Sequence, residues 1–143
     1  MNDIDDELKS IIQEGDIHKT NNGENLVFNP FNPNNKEITK HIIESILSRY
    51  GIKESITNVN LYKRAFVHKS YVKRPAIENQ EKNITIANKP YNCLPLRTKS
   101  NERLEFLGDG VLENITKFYL YRRFPKENEG FMTEKKIALV KNE

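Results

Sequence analysis

The sequence predicts an all-α fold, and three observations carry that prediction. Apolar residues recur at helical spacing in several separate stretches, glycine or proline stands at the ends of most of them, and no stretch reads convincingly as a strand. The chain has 143 residues, 36% hydrophobic and 30% charged, enough for one domain with a modest core. No apolar run approaches the roughly 20 residues that a membrane span needs. The acidic start, MNDIDDELKS, has the wrong charge for a secretory or mitochondrial signal. Cys93 is the single cysteine, so no internal disulfide forms, which fits a reducing, intracellular (cytoplasmic) setting.

Residues 3–14 place Ile4, Leu8, Ile11 and Ile12 on one helical face, and Gly15 marks the stop. Residues 16–35 lose periodicity and are crowded with Asn, Pro30 and Pro33, so residues 1–35 are expected to form an N-terminal arm and linker. Residues 36–143 are expected to form the domain. Its first helix runs through Ile38, Ile42, Ile43, Ile46 and Leu47, capped by Asn34 or Asn35 and ended by Gly51. The next helix spans about 58–71, with Leu61, Ala65, Phe66 and His68 turned inward. Residues 72–100, with Pro75, Pro90 and Pro95, read as a long surface loop. The strongest signal is 101–124, where Leu104, Leu107, Val111, Leu112, Ile115, Phe118 and Tyr119 make one stripe closed by Pro125. A last helix starts near Phe131 or Thr133. It reaches Glu143 without a stop signal, so the expectation is a domain incomplete at its C-terminus and marginally folded by itself.

Charge is uneven. Residues 1–14 carry a local net of −4, whereas 61–75 hold Lys63, Arg64, Lys69, Lys73 and Arg74 and no acid. Tyr62, Phe66, His68 and Tyr71 are interleaved with those bases. Such a cluster serves either as a solvated helix face or as a surface for a nucleic-acid backbone. The three histidines, His18, His41 and His68, lack zinc-ligand spacing. His68 reads as a buried, hydrogen-bonded histidine at a helix end, and Ser70 as a capping or packing residue.

The stretch NERLEFLGDG, residues 101–110, sets Glu102, Glu105 and Asp109 among core-type residues. At about 100° per residue the three acids fall within roughly 60° on one helix face. Glu105 and Asp109 lie one turn apart and repel each other, a cost that a divalent cation would offset. The alternative is pairing with Arg103 or distant lysines. Gly108 and Gly110 each cost a helix about 1 kcal/mol relative to alanine. They leave room for another helix or a substrate backbone, or serve as packing notches.

These residues resemble a known family. NERLEFLGDGVL, 101–112, is similar to the signature of ribonuclease III, the double-stranded-RNA endonucleases that include Dicer and Drosha. LYKRAFVHKSY (61–71) resembles the family's LxxAxxHxSY segment, YLYRRFP (119–125) the end of the signature helix, and EGFMTEKKIALVKNE (129–143) the segment after it. The resemblance implies an all-α, ribonuclease III-like helical endonuclease domain that works as a homodimer on double-stranded RNA, away from membranes. Such enzymes use magnesium, with manganese as a substitute, and leave 5′-phosphates and short 3′ overhangs. It makes Glu105 and Asp109 the catalytic, metal-binding acids, with Glu102 and Glu129 in support. The bases Lys63, Arg64, Lys69, Lys73 and Arg74 are the expected RNA contacts.

The departures are Gly110 where Ala or Ser is usual, a longer loop between Tyr71 and Asn101, and the lack of the second acidic pair that the family places on a later helix. The expectation is therefore the N-terminal part of an active endonuclease, inactive alone. The competing expectations are a non-catalytic double-stranded-RNA-binding or dimerisation module and a truncated, functionless reading frame. Heavy use of Lys, Asn and Ile points to an AT-rich genome, such as that of a large DNA virus.

Overall fold

The computed structural model describes residues 17–19, 25–78 and 84–141. The helix expected over residues 3–14 lies outside them. In chain order come β1 (Ile17–Lys19), β2 (Leu26–Phe28), α1 (Lys40–Arg49), α2 (Val59–Ala65), a 3-10 turn (Lys69–Tyr71), α3 (Pro75–Glu78), β3 (Ile84–Ile86), α4 (Glu102–Arg123) and α5 (Glu129–Val140). The chain divides into two units, residues 1–101 and 102–143.

Helix dominates, but the first unit departs from the all-α expectation by a three-stranded sheet. β2 is central, antiparallel to β1 (Ile17 opposite Phe28) and parallel to β3 (Phe28 opposite Ile86). Thus two strands lie in the stretch read as a linker and one in the stretch read as a loop. Each is three residues long, too short to show alternation, and the pairing partners of β2 and β3 are distant in sequence. The sheet exists because it buries apolar surface. Phe28 (1% exposed) and Ile77 (4%) pack together, flanked by Ile17, Ile84 and Ile86.

α1 starts later than the asparagines suggested. Thr39 is its N-cap, its hydroxyl accepting from the Ile42 N–H at 3.3 Å. The asparagines are engaged in local turns, with the Asn32 carbonyl oxygens accepting from Asn34 and Asn35. Gly51 ends the helix at φ +86°, a left-handed conformation that glycine adopts without steric cost.

α2 is shorter than the sequence suggested. Asn58 caps it, accepting from the Leu61 N–H at 3.1 Å. It stops at Ala65 because His68 turns extended (φ −66°, ψ 152°) and its Nδ1 accepts from the Ser70 N–H. His68 is therefore hydrogen-bonded at a helix break as expected, but it is exposed rather than buried. Leu61, Ala65 and Phe66 are likewise exposed, not inward.

The segment after β3 returns to this turn. Lys73 N–H donates to Arg97 O at 2.8 Å, Arg97 N–H to Tyr71 O at 3.0 Å, and the Tyr71 hydroxyl to Leu94 O at 2.8 Å. Asn101 closes the unit, donating from its backbone to Val67 O and from its side chain to Ala65 O. The end of the expected loop is thus tied by backbone hydrogen bonds to the turn that follows α2.

The second unit is a helical hairpin. α4 ends at Arg123, just before Phe124-Pro125, because the residue preceding proline is disfavoured in helix. Asn128 caps α5 through the Phe131 N–H at 2.9 Å, so this helix begins two residues before Phe131. The turn is fixed by an edge-to-face pair, Phe124 and Phe131, with centroids 5.2 Å apart. Lys136 reaches Glu113 at 3.0 Å across the two helices. Within α4, Thr116 and Leu120 are buried. Of the apolar stripe, Leu104 is half-buried, whereas Leu107, Val111, Leu112, Ile115, Phe118 and Tyr119 are exposed.

Candidate acidic face and basic cleft

Two places in the structure gather the residues singled out by sequence. The first is the N-terminal half of α4. Glu102 opens the helix, and Glu105 and Asp109 follow on the next turns, all three exposed. Acids in the first turn suit the partial positive charge of a helix N-terminus, which lowers the cost of setting them close together. Apart from the helix's own adjacent backbone, no atom lies within 4 Å of a Cβ built at Gly108 or Gly110, so side chains there would meet open space. Glu129 is the first residue of α5, and its carboxylate accepts from the Thr133 hydroxyl at 2.7 Å.

The chemistry of these donors fits part of a divalent-cation site. Magnesium takes oxygen ligands and commonly uses one or two carboxylates together with waters. Glu105 and Asp109 are such a pair. Among the described residues no group of three or more His, Cys, Asp or Glu side chains converges. The pair thus meets the minimum for a hydrated ion, without a protein cage.

The second place is a cleft of about 690 Å³ within the first unit. It is walled by the segment leaving β2 (Asn29–Ile38), by α2 and the turn after it, and by Leu94 and Arg97–Lys99. It brings together Lys63 and Arg64 from the sequence-predicted bases, but not Lys69, Lys73 or Arg74. Arg64 is oriented by its Nε–H, which donates to Ser100 O at 2.9 Å. The cleft adds Lys36, Arg97 and Lys99, which sequence reasoning missed. A signal was present, since residues 89–99 hold Lys89, Arg97 and Lys99 and no acid.

Glu37 is the one carboxylate in the cleft lining. Its Oε1 stands 2.8 Å from Arg97 Nη2 and 3.3 Å from Lys63 Nζ. Lys63 does most to hold the Glu37 carboxyl below its ordinary value; desolvation opposes it, and Arg97 adds to the lowering. Phe66 stands in the same cleft, 66% exposed.

The Ribonuclease III domain model matches residues 102–143, the whole second unit. The chain is 34% identical over 115 residues to "Probable ribonuclease 3" of Acanthamoeba polyphaga mimivirus, covering 79% of this chain and 20% of the relative. It is 39% identical over 95 residues to "Ribonuclease 3" of Enterococcus faecalis, covering 66% and 33%. It is 41% identical over 83 residues to "Ribonuclease 3" of Listeria monocytogenes, covering 58% and 28%. No solved structure matches. The chain belongs to the ribonuclease III family. It spans between a fifth and a third of the length of these relatives.

Proposed function

We propose that this chain is the N-terminal part of a metal-dependent endonuclease that hydrolyses phosphodiester bonds of double-stranded RNA. One observation carries the reading: Glu105 and Asp109 stand one turn apart on an exposed face of α4, inside the segment that matches the family. Two neighbouring carboxylates repel, and a chain that only binds RNA gains nothing from presenting them to phosphates.

Glu105 and Asp109 would hold a magnesium or manganese ion. When bound, such an ion supplies Lewis acidity and lowers the pKa of a coordinated water. The two carboxylates act by charge and position, since their sites on one rigid helix keep them a turn apart before any ligand arrives. Glu102 and Glu129 are proposed to support the pair, each from the first position of its helix. Completion of the centre needs further acids from outside these residues. The exposed stripe of α4 is proposed as the contact with a second copy. Lys63, Arg64, Lys69, Lys73 and Arg74 are proposed to meet RNA phosphates. An intracellular, cytoplasmic place of action accords with the single cysteine, and a viral source with the mimivirus relative. Among the described residues no helix is long and apolar enough to cross a membrane.

The test is cleavage of long duplex RNA in magnesium by a longer polypeptide that carries this segment together with a second acidic pair. Glu105→Gln and Asp109→Asn are each expected to slow cutting by roughly a hundredfold or more. The 143-residue chain alone is expected not to cut. Undiminished cutting by both variants would sink the assignment of the pair. The run of bases in residues 61–75 favours a second reading, a non-catalytic double-stranded-RNA-binding or dimerisation module. That reading predicts duplex binding that is indifferent to both substitutions and to magnesium.

A further inference from the structure

The cleft of the first unit is chemically unlike the acidic face of α4. Five cations line it, Lys36, Lys63, Arg64, Arg97 and Lys99, against the single carboxylate of Glu37. Glu37 Oε1 sits between Lys63 Nζ (3.3 Å) and Arg97 Nη2 (2.8 Å), the arrangement that a phosphate oxygen takes between two cationic donors. The Glu37 side chain is 41% exposed, so it can swing away without opening a core.

Phe66 adds a second, independent feature. It follows the last turn of α2, lines the cleft and is 66% exposed. An exposed phenyl ring beside cations is a platform on which a nucleobase stacks. The volume also discriminates. About 690 Å³ lies within the usual range for sites that enclose a small ligand. A duplex is far too wide to enter, whereas a single unpaired nucleotide is of the right scale.

We propose that this cleft holds one unpaired nucleotide of RNA, its phosphate between Lys63 and Arg97 and its base against Phe66. Glu37 occupies the phosphate position in the free protein and competes with the ligand. The cleft thereby distinguishes RNA with an unpaired extension from a blunt duplex. This inference rests on the reading of the chain as an RNA-acting protein, but it concerns a different surface from the acidic pair.

The experiment is fluorescence anisotropy with the full chain in EDTA, which prevents cutting. The probes are a blunt duplex, the same duplex with an unpaired extension, and the unpaired strand alone. The extension is expected to tighten wild-type binding about fivefold or more, and Phe66→Ala to remove that gain. Glu37→Gln is expected to tighten binding of the extended RNA a further two- to fivefold or so. The same loss of charge in Glu54→Gln should leave it unchanged. Thermal unfolding of each variant separates a weakened fold from a changed affinity.

Equal affinity for blunt and extended RNA in both wild type and Glu37→Gln would overturn the proposal. So would a Glu54→Gln effect as large as that of Glu37→Gln, or no RNA binding at all by either protein. Phe66-dependent binding of the unpaired strand, with no binding of the blunt duplex, would uphold the cleft. That same result would count against duplex RNA as the substrate.

Discussion

The two units use apolar residues in opposite ways. The first gathers short, unremarkable segments around Phe28 and Ile77, so that three strands and a four-residue helix bury a small core. The second carries the most regular apolar stripe in the sequence and leaves it in solvent. Phe106 is 84% exposed there, and Ile115 and Phe118 about as exposed as each other at 61% and 62%. A strong helical pattern thus does not say what the stripe packs against. A two-helix hairpin cannot cover a stripe of this length by itself, which is the ground for the proposed contact with a second copy.

The sharpest way to break this comparison is to make the same change in both units. Phe28→Ala should destabilise the chain by about 3–5 kcal/mol in urea unfolding. Phe106→Ala in the monomer should stay within about 0.5 kcal/mol. Equal losses would show that the stripe of α4 is already packed.

Next in size comes the proposed contact between copies. Leu112→Glu or Ile115→Glu should weaken self-association by roughly thirtyfold or more, an effect of about 2 kcal/mol. Sedimentation equilibrium reads this directly, and a wild-type chain that stays monomeric at high concentration removes the idea.

Gly108→Ala sharpens the comparison further. With open space around its Cβ, alanine should stabilise the monomer by about 1 kcal/mol through helix propensity. If the substitution instead weakens self-association or RNA binding, a partner's backbone lies against that glycine in the complex.

The smallest effect is expected from acid. Glu37 in the first unit is held low mainly by Lys63. Glu44 is held low mainly by the Ser55 hydroxyl, with help from the Ile56 N–H. In the second unit Lys136, then Lys117, hold Glu113 low. A carboxyl whose folded pKa is depressed binds protons more readily when unfolded. Its contribution is therefore present above the ordinary value of 4.5 and is lost as pH falls through the lower folded value. The thermal midpoint should drop below about pH 4.5, and Glu44→Gln should flatten that drop in the first unit. An identical acid profile for wild type and Glu44→Gln would show that these pairs are too exposed to matter.

Legibility in the sequence followed the range of the interactions. α4 and its end before Pro125 were readable because propensity, periodicity and a proline act within a few residues. The acidic pair was readable for the same reason, since its spacing is a property of one helix. The early end of α2 was not, because it depends on the extended turn at His68 and on Arg97 reaching back to Tyr71. The strands were missed because β2 is held by a partner 58 positions away, Leu26 opposite Ile84.

By itself, then, the sequence determined the helical hairpin of 102–140, the face that carries Glu102, Glu105 and Asp109, and the membership of a family that those motifs mark. Local backbone preferences and side-chain spacing suffice for all of these. Tertiary structure alone decided that Phe28 is core while Phe106 is surface. It also decided that Lys36, Lys63, Arg97 and Lys99 share one cleft with Glu37 between two of them. Burial and charge pairing depend on which distant segments meet, and that information is spread over the whole chain.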